Sequence, residues 1–353
     1  MTTVGSMAGS VTTGFDLPPE LGASSPAEVR GRSRDDVRLM VAGPSGITHH
    51  QFTKAAEILS PGDLLVVNNS ATLPASVVVS DRLAIHFSTQ LPGGLVVVEP
   101  RVPEGASSNQ FRGEPPRQVE MPGGFLMELL APFPVGRPSR LWAAPFDGPD
   151  LLDYLARHGR PIRYSHVDGH YPLRTYQTIF AQEPGSAEMP SAGRPFSGAV
   201  LARLAACGVG VAPLTLHTGV SSIESGEPPY PEWYSVPAET ARAINRTRED
   251  GGRVVSVGTT VVRALQSVTD RHGVVHAGSS WTDLVIEEAD SLLSIDGLLT
   301  GWHEPRSTHL DLLAAVAGRG LLDEAYRSAL DERYLWHEFG DSLLILRSTH
   351  AAR

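Results

Sequence analysis

Apolar and polar positions along the chain fall into two textures. Outside a central stretch, short apolar runs alternate with segments whose apolar residues recur at helical spacing. Leu39 to Val41 and Leu64 to Val67 read as strands, and Phe52, Ala55, Ala56 and Leu59 share one side of a helix. Leu151 to His158 has helical spacing stopped by Gly159. A short amphipathic helix leads into an apolar strand that ends on Thr215, His217 and Thr218, beside Gly219. Pro237 opens a helix ended by Gly251 and Gly252. The strand RVVSV, the turn Gly258-Thr259-Thr260 and the helix VVRALQSV follow. Asp283 to Asp296 reads as acidic and strand-like. Ser307 or Thr308 caps the helix LDLLAAVAG, Leu322 to Leu330 forms another, and SLLIL is the final strand. This alternation predicts an α/β domain.

Between Val77 and Pro149 helical periodicity disappears. VVVS, LAIHF, GLVVVEP, FLMELL and RLWAAPF are short strand-type runs separated by turn clusters such as PGG and PEGASSN. The expected layout is a disordered tail at 1–14, an α/β domain from 15–76 and 150–353, and an inserted small all-β domain, barrel or sandwich, at 77–149.

Composition narrows the function. A formal net charge of -10 argues against a broad DNA-binding surface, which needs clustered Lys and Arg. One window runs against the overall sign: Arg157, Arg160, Arg163 and Arg174 lie close together among His158, His166 and His170. It reads as a solvated loop or as a phosphate or carboxylate site. Cys207 is the lone cysteine, so a disulfide and a cysteine zinc site are excluded, and its apolar helical run suggests a packed thiol. Neither a signal-peptide pattern nor a membrane-length apolar run is present, which predicts a cytoplasmic protein without membrane partners.

The richest candidate chemistry lies between Tyr176 and Gly219. Polar side chains at strand ends are where α/β proteins place ligands, which singles out Thr215, His217 and Gly219. Asn68 and Asn69 end another strand and read as turn formers or ligand contacts. Gly258-Thr259-Thr260 joins a strand to a helix whose first N–H groups are unpaired and suited to an anion. GxGxxG, P-loop, HExxH and GxSxG patterns are missing.

Nine blocks in order resemble the S-adenosylmethionine:tRNA ribosyltransferase-isomerase family of queuosine biosynthesis: FDLPPEL (15–21), GDLLVVNNSATLPAS (62–76), YQTIFA (176–181), PSAGRPF (190–196), TLHTG (215–219), EWYSVP (232–237), VGTTVVRALQ (257–266), GWHEPRST (301–308) and FGDSLLIL (339–346). The resemblance implies an α/β main domain with a barrel-like mixed sheet and a small inserted β-barrel. It implies transfer and isomerisation of the ribosyl part of S-adenosylmethionine onto 7-aminomethyl-7-deazaguanine in tRNA, giving epoxyqueuosine and releasing adenine and methionine without a metal. The sulfonium acidifies the adjacent ribose carbon, so the site needs a proton acceptor, a carboxylate clamp and polar groups for ribose and adenine.

Carried onto this chain, the resemblance makes His217 and His303 the catalytic candidates, since imidazole titrates near neutrality. The substrate-binding candidates are Tyr176, Gln177, Thr178, Ser191, Gly193, Arg194, Thr215, Gly219, Glu232, Gly258, Thr259, Thr260, Arg263, Ser307, Thr308 and Asp341. A turn-forming role is the simpler account of Asp341. The chain departs from the family pattern at Arg194 and Pro195, Ser221 to Ile223, Glu227, Tyr230, Ala71, Ser76 and Gln266. Arg194 places a charge at an apolar position of the motif, which points to an altered substrate. Two rival readings follow: a divergent paralogue using S-adenosylmethionine on a small-molecule acceptor or cleaving it, and a non-catalytic binding protein of the same fold.

Overall fold

The computed structural model describes residues 15–104, 107–136, 139–220, 229–305, 307 and 309–347. The tail expected at 1–14, Thr308, Glu227 and Ser221 to Ile223 lie outside them.

The main sheet is mixed and nine-stranded. Its order is Gly278–Thr282, Glu232–Val236, Gly210–Leu216, Leu64–Asn68, Val254–Val257, Gly297–Gly301, Ser342–Leu346, Arg38–Gly43 and Gly46–Gln51. Leu64–Asn68 sits centrally, pairing in parallel with Gly210–Leu216 and Val254–Val257. Such a strand is covered on both faces, so it is a continuous apolar run, LLVVN. Successive residues point to opposite sides. Leu64 and Val66 join a core with the helices Ala238–Glu249, Thr259–Gln266, His309–Ala317 and Arg319–Asp331. Leu65 and Val67 join a second core with Ala55–Ile58 and Gly198–Ala206.

A second sheet takes up the β-textured stretch. It runs Ala131–Pro132, Trp142–Pro145, Leu95–Glu104, Leu83–Leu91, Ser76–Ser80 and Gly159–Arg160, with Ser107–Gln110 added beside Leu95–Glu104. Val77, Ile85, Phe87, Val98 and Met127 build its core. The helix Leu151–His158, capped by the Asp150 carboxylate, packs onto this core through Leu151, Tyr154 and Leu155. At Gly159 a Cβ would lie 1.9 Å from the Pro74 carbonyl oxygen, so the chain can rejoin the sheet there only with glycine.

Three expectations are corrected. Strand pairing leaves the main sheet open, because its end strands, GITHHQ and GSSWT, carry the polar sequences of solvent-facing edges. Asp283 to Asp296 is not a strand: pairing uses Gly278–Thr282 and Gly297–Gly301 on either side, and the acidic stretch turns between them. Cys207 is exposed, because the helix before it buries only Val200 and Leu204 and ends at Cys207. Among the described residues, no helix is long and apolar enough to cross a membrane.

Candidate functional site

The best-connected group of polar side chains forms where Gly210–Leu216 ends beside Leu64–Asn68. Asn68 braces the two strand ends: its Oδ1 accepts from Ser70 N and Leu216 N, and its Nδ2 donates to the Leu216 carbonyl at 2.8 Å. The Thr215 hydroxyl donates to Asn69 Oδ1 at 2.7 Å. This brace carries Ser70 to the next residue out, His217. Ser70 Oγ lies 2.8 Å from His217 Nδ1 and 2.6 Å from Ser186 Oγ, which accepts from Thr218 N. The His217 ring stacks on Trp233 at 5.2 Å between centroids. Across the ring, Gly185 approaches so closely that a Cβ there would lie 2.4 Å from two ring atoms. Burial holds the His217 imidazole below its ordinary range, so the ring is neutral at pH 7. Nε2 makes no hydrogen bond among the described residues, and neither does the buried Thr218 hydroxyl.

His217 lines a cavity of about 360 Å³ between the two sheets. Trp233 and Trp281 come from the main sheet, Phe87 to Gln90 from the second, and Leu151, Leu152 and Leu155 from the helix between them. The volume suits a small-molecule site, with apolar walls and a few polar groups. Next to His217, Gly219 N donates to Glu232 Oε1 at 2.9 Å, and Arg263 pairs with Glu232 Oε2. Arg263 also donates to the Leu284 and Thr282 carbonyls, so its guanidinium is occupied in holding strand ends together. A Cβ on Gly219 would lie 2.8 Å from Ser88 Oγ, which accepts from Val220 N; this contact seats the main sheet against the second.

Several other candidates are buried and spent on structure. Gln177 clamps the Thr72 backbone, accepting from its N–H at 2.9 Å and donating to its carbonyl at 2.7 Å. Tyr176 is buried against Phe339, and burial pushes its phenol up to about 12. Thr178 is buried, and its Oγ1 accepts from Phe180 N. Arg194, only 3% exposed, donates to the Thr175 carbonyl and to Glu28 Oε2 at 2.8 Å, and lies over the Phe339 ring. Asp341 accepts from Arg38 N, Nε and Nη2 and from Leu335 N, which fills its acceptor capacity. The turn Ser191–Gly193 comes against Gly258, where φ is +97° and Ala192 Cβ would be 3.5 Å from an added Cβ. Thr259 is buried and Thr260 half-buried at the start of the following helix.

His303 does not line the cavity. Its Nε2 lies 3.0 Å from Thr300 Oγ1, its ring stacks on His309 at 4.6 Å, and its carbonyl accepts from Trp336 Nε1. Burial, with His309 and His337 nearby, holds it well below the imidazole range. Ser307 bonds the His309 ring and N–H, which is the capping role expected of it.

Among the described residues one group combines metal-ligand types, His166, His337 and Glu338, with ligand atoms within 4.8 Å of one another. The two rings are stacked 4.0 Å apart at 19°. Lone pairs lie in the ring planes, so stacked rings do not converge on one ion. The group is a ring stack with Glu338 3.0 Å from His166. Sequence reasoning missed Ser70, Ser186, Gly185, Trp233 and Trp281. Trp233 had a signal beside Glu232 in the EWY block; the small residues had none.

The family described as "Queuosine biosynthesis protein" matches residues 12–345. The chain is 36% identical over 354 residues to the S-adenosylmethionine:tRNA ribosyltransferase-isomerase of Symbiobacterium thermophilum, covering 94% of this chain and 98% of that protein. It is 37% identical over 361 residues to the protein of that name from Thermus thermophilus, covering 96% and 100%. The solved structure of S-adenosylmethionine tRNA ribosyltransferase from Thermotoga maritima is similar with a TM-score of 0.53 and 30% identity, over 95% of this chain and 100% of that one.

Proposed function

The chain belongs to the queuosine biosynthesis protein family, and on that footing we propose that it is an S-adenosylmethionine:tRNA ribosyltransferase-isomerase. It takes S-adenosylmethionine as a substrate and moves its ribosyl part onto 7-aminomethyl-7-deazaguanine in tRNA. The ribosyl is isomerised to the epoxycyclopentanediol of epoxyqueuosine, and adenine and methionine leave. The observation that carries the reading is His217 held by Ser70, itself bonded to Ser186, at the wall of the inter-sheet cavity.

His217 acts as the proton acceptor toward the ribose carbon next to the sulfonium. With its own proton on Nδ1, donated to Ser70, the lone pair is on Nε2. Thr218 and the turns at Ser191–Gly193 and Gly258–Thr260 supply polar backbone and hydroxyl groups for the ribose and the methionine carboxylate. Glu232 and Arg263 keep the strand end in place. His303 is a packing residue whose ring is spent on Thr300 and His309. The exposed Arg157, Arg160 and Arg174 receive tRNA phosphates. We place the activity in the cytoplasm, assign no step to a metal, and take 77–149 as a small β-barrel domain inserted between 15–76 and 150–353. Arg194 is tied to Glu28, so it lends no support to a different acceptor.

The test is incubation with S-adenosylmethionine, with and without tRNA bearing 7-aminomethyl-7-deazaguanine. Adenine and methionine release together with a mass gain on the tRNA is expected. Release without that tRNA, or no release, overturns the reading.

A further inference from the structure

Three rings stand in one row across three neighbouring strands. Trp233 is the register partner of Trp281 in the antiparallel pair Glu232–Val236 and Gly278–Thr282. On its other side, the Trp233 carbonyl accepts from His217 N at 2.9 Å, which puts His217 opposite Trp233 as well. Residues directly opposite in an antiparallel pair lie on the same face of a sheet. His217, Trp233 and Trp281 all line the 360 Å³ cavity. Phe87 to Gln90 of the second sheet and Leu151, Leu152 and Leu155 of the helix close it from the other side.

Core packing does not account for the row. Trp233 and Trp281 are half-buried, whereas Trp302 and Trp336 are 2% and 0% exposed in the main core. Trp281 also sits on the edge strand GSSWT, whose other residues are small or polar. A sheet face that lines up aromatic rings beside open space is a stacking surface for flat heterocycles, since every such ring has a π-face. Thr89 and Gln90 stand at the opposite wall, where ring nitrogens and exocyclic amines need partners.

We propose that Trp233 and Trp281, beside a His217 ring already enclosed between Trp233 and Gly185, form a stacking platform for a purine-type bicycle. This deepens, and rests on, the ribosyltransferase-isomerase reading, in which two such rings occur: the adenine of S-adenosylmethionine and the deazaguanine of the tRNA. Trp281 is then a specificity-determining residue, remote from the reacting atoms and in contact with the base.

Calorimetry separates the two sources with two probes, S-adenosylhomocysteine and free 7-aminomethyl-7-deazaguanine. Trp281→Leu keeps an apolar side chain and removes the π-face. It is expected to weaken binding of at least one probe by about tenfold, while Trp281→Phe stays within about threefold of wild type. Loss confined to S-adenosylhomocysteine assigns the platform to adenine; loss confined to the free base assigns it to the acceptor. Trp281→Thr, which suits an edge strand, repeats the test should Trp281→Leu not fold. Both probes binding folded Trp281→Leu or Trp281→Thr as they bind wild type overturns the platform. So does a wild type that releases adenine with tRNA but binds neither probe. Adenine release measured on the same preparation keeps the two readings apart: turnover with unaffected binding removes the platform alone, and Trp281-dependent binding without turnover removes the activity alone.

Discussion

The Ser70 hydroxyl lies 2.8 Å from Nδ1 of His217, although the two are 147 positions apart in the chain; the parallel pairing of Leu64–Asn68 with Gly210–Leu216 and the Asn68 brace at its end bring them together. This contact orients an imidazole that burial holds below its usual range. Activity that needs the neutral ring is therefore flat through pH 7 and falls only as the pH drops through a value below 6.5. His217→Ala is expected to lower kcat by about 10²–10⁴ and to remove this acid limb. Ser70→Ala, which leaves the ring present but unanchored, is expected to lower kcat by about tenfold with little change in KM. A pH–rate profile on all three proteins checks the assignment; an unshifted acid limb in His217→Ala would refute it.

Gly185 tests the same ring from the other side. An added Cβ would meet the His217 ring at 2.4 Å, and the obstacle is the ring itself rather than a flexible side-chain end. Gly185→Ala is expected to fold, since Gly185 lies in a short strand paired only with Ser70–Thr72, yet to lose at least about tenfold in kcat because His217 must turn away. Circular dichroism with steady-state kinetics checks both halves. Wild-type kcat in a folded variant would show that the ring position is not required.

The fold was readable because the central strands are buried on both faces and the β-textured stretch lacks helical spacing. Those signals are local, so Leu64–Asn68, Val254–Val257, Ser76–Ser80, Leu83–Leu91, Leu95–Glu104, Phe125–Glu128 and Trp142–Pro145 were visible as strands, whereas the short, polar Ser107–Gln110 and Gln118–Met121 were not. The site was only partly readable. His217 stood out at a strand end, but its partners Ser70, Ser186 and Gly185 are small residues whose importance comes from register and closeness of approach. Trp281 sits opposite Trp233 only through a pairing 48 residues apart in sequence. Arg194 and Asp341 drew attention as charges in loops, and both are consumed by protein partners. A charge in sequence does not tell whether its partner will be substrate or chain.

Arg194 supplies a direct test of that distinction. Its guanidinium is buried against Glu28, Thr175 and Phe339. Arg194→Ala leaves a void and removes the Glu28 Oε2 partner, with Arg34 at 3.4 Å remaining on that carboxylate, and is expected to cost about 1–3 kcal/mol of stability. Arg194→Leu fills the space with apolar atoms and is expected to recover much of that loss. Neither change is expected to alter KM for S-adenosylmethionine or tRNA by more than about twofold. Thermal melts and kinetics decide it; a KM change of tenfold in Arg194→Leu would return Arg194 to the substrate site.

In the second sheet, His86 is buried beside Glu99, with Arg101 and Arg140 nearby, and burial with those arginines pushes its imidazole down to about 3. The unfolded chain therefore binds this proton near pH 6.5 while the folded chain does not. Stability contributed by the neutral ring is complete above that unfolded value and is lost as the pH falls from about 6.5 toward about 3. His86→Gln is expected to make the stability profile less steep across this window, leaving the share of His217, His303 and His309, whose rings burial also holds low, and at lower pH the loss due to Asp35, Asp63 and Glu28, whose carboxyls are held low in the fold. Urea denaturation at a series of pH values checks it. An equal slope in both proteins between pH 6 and 4.5 would refute it.

The basic window gives the last test, because it asks whether tRNA is held at the cavity mouth. Arg157 closes the helix whose Leu151, Leu152 and Leu155 line the cavity, and Arg160 follows on the strand that pairs with Ser76–Ser80. Both are exposed, and neither makes an ion pair or side-chain hydrogen bond among the described residues. On a chain of net charge -10, association with a polyanion must use such local patches. If each arginine neutralises one phosphate, the double variant Arg157→Gln, Arg160→Gln lowers the slope of log K against log[salt] by about 1.5, since each contact contributes about 0.7–0.9. KM for tRNA rises at low salt, while KM for S-adenosylmethionine and the pH profile stay as in wild type, because neither residue lines the cavity. Filter binding of tRNA from 50 to about 300 mM salt measures the slope. An unchanged slope would move the tRNA to another face. A change in KM for S-adenosylmethionine would show that the window belongs to the small-molecule site.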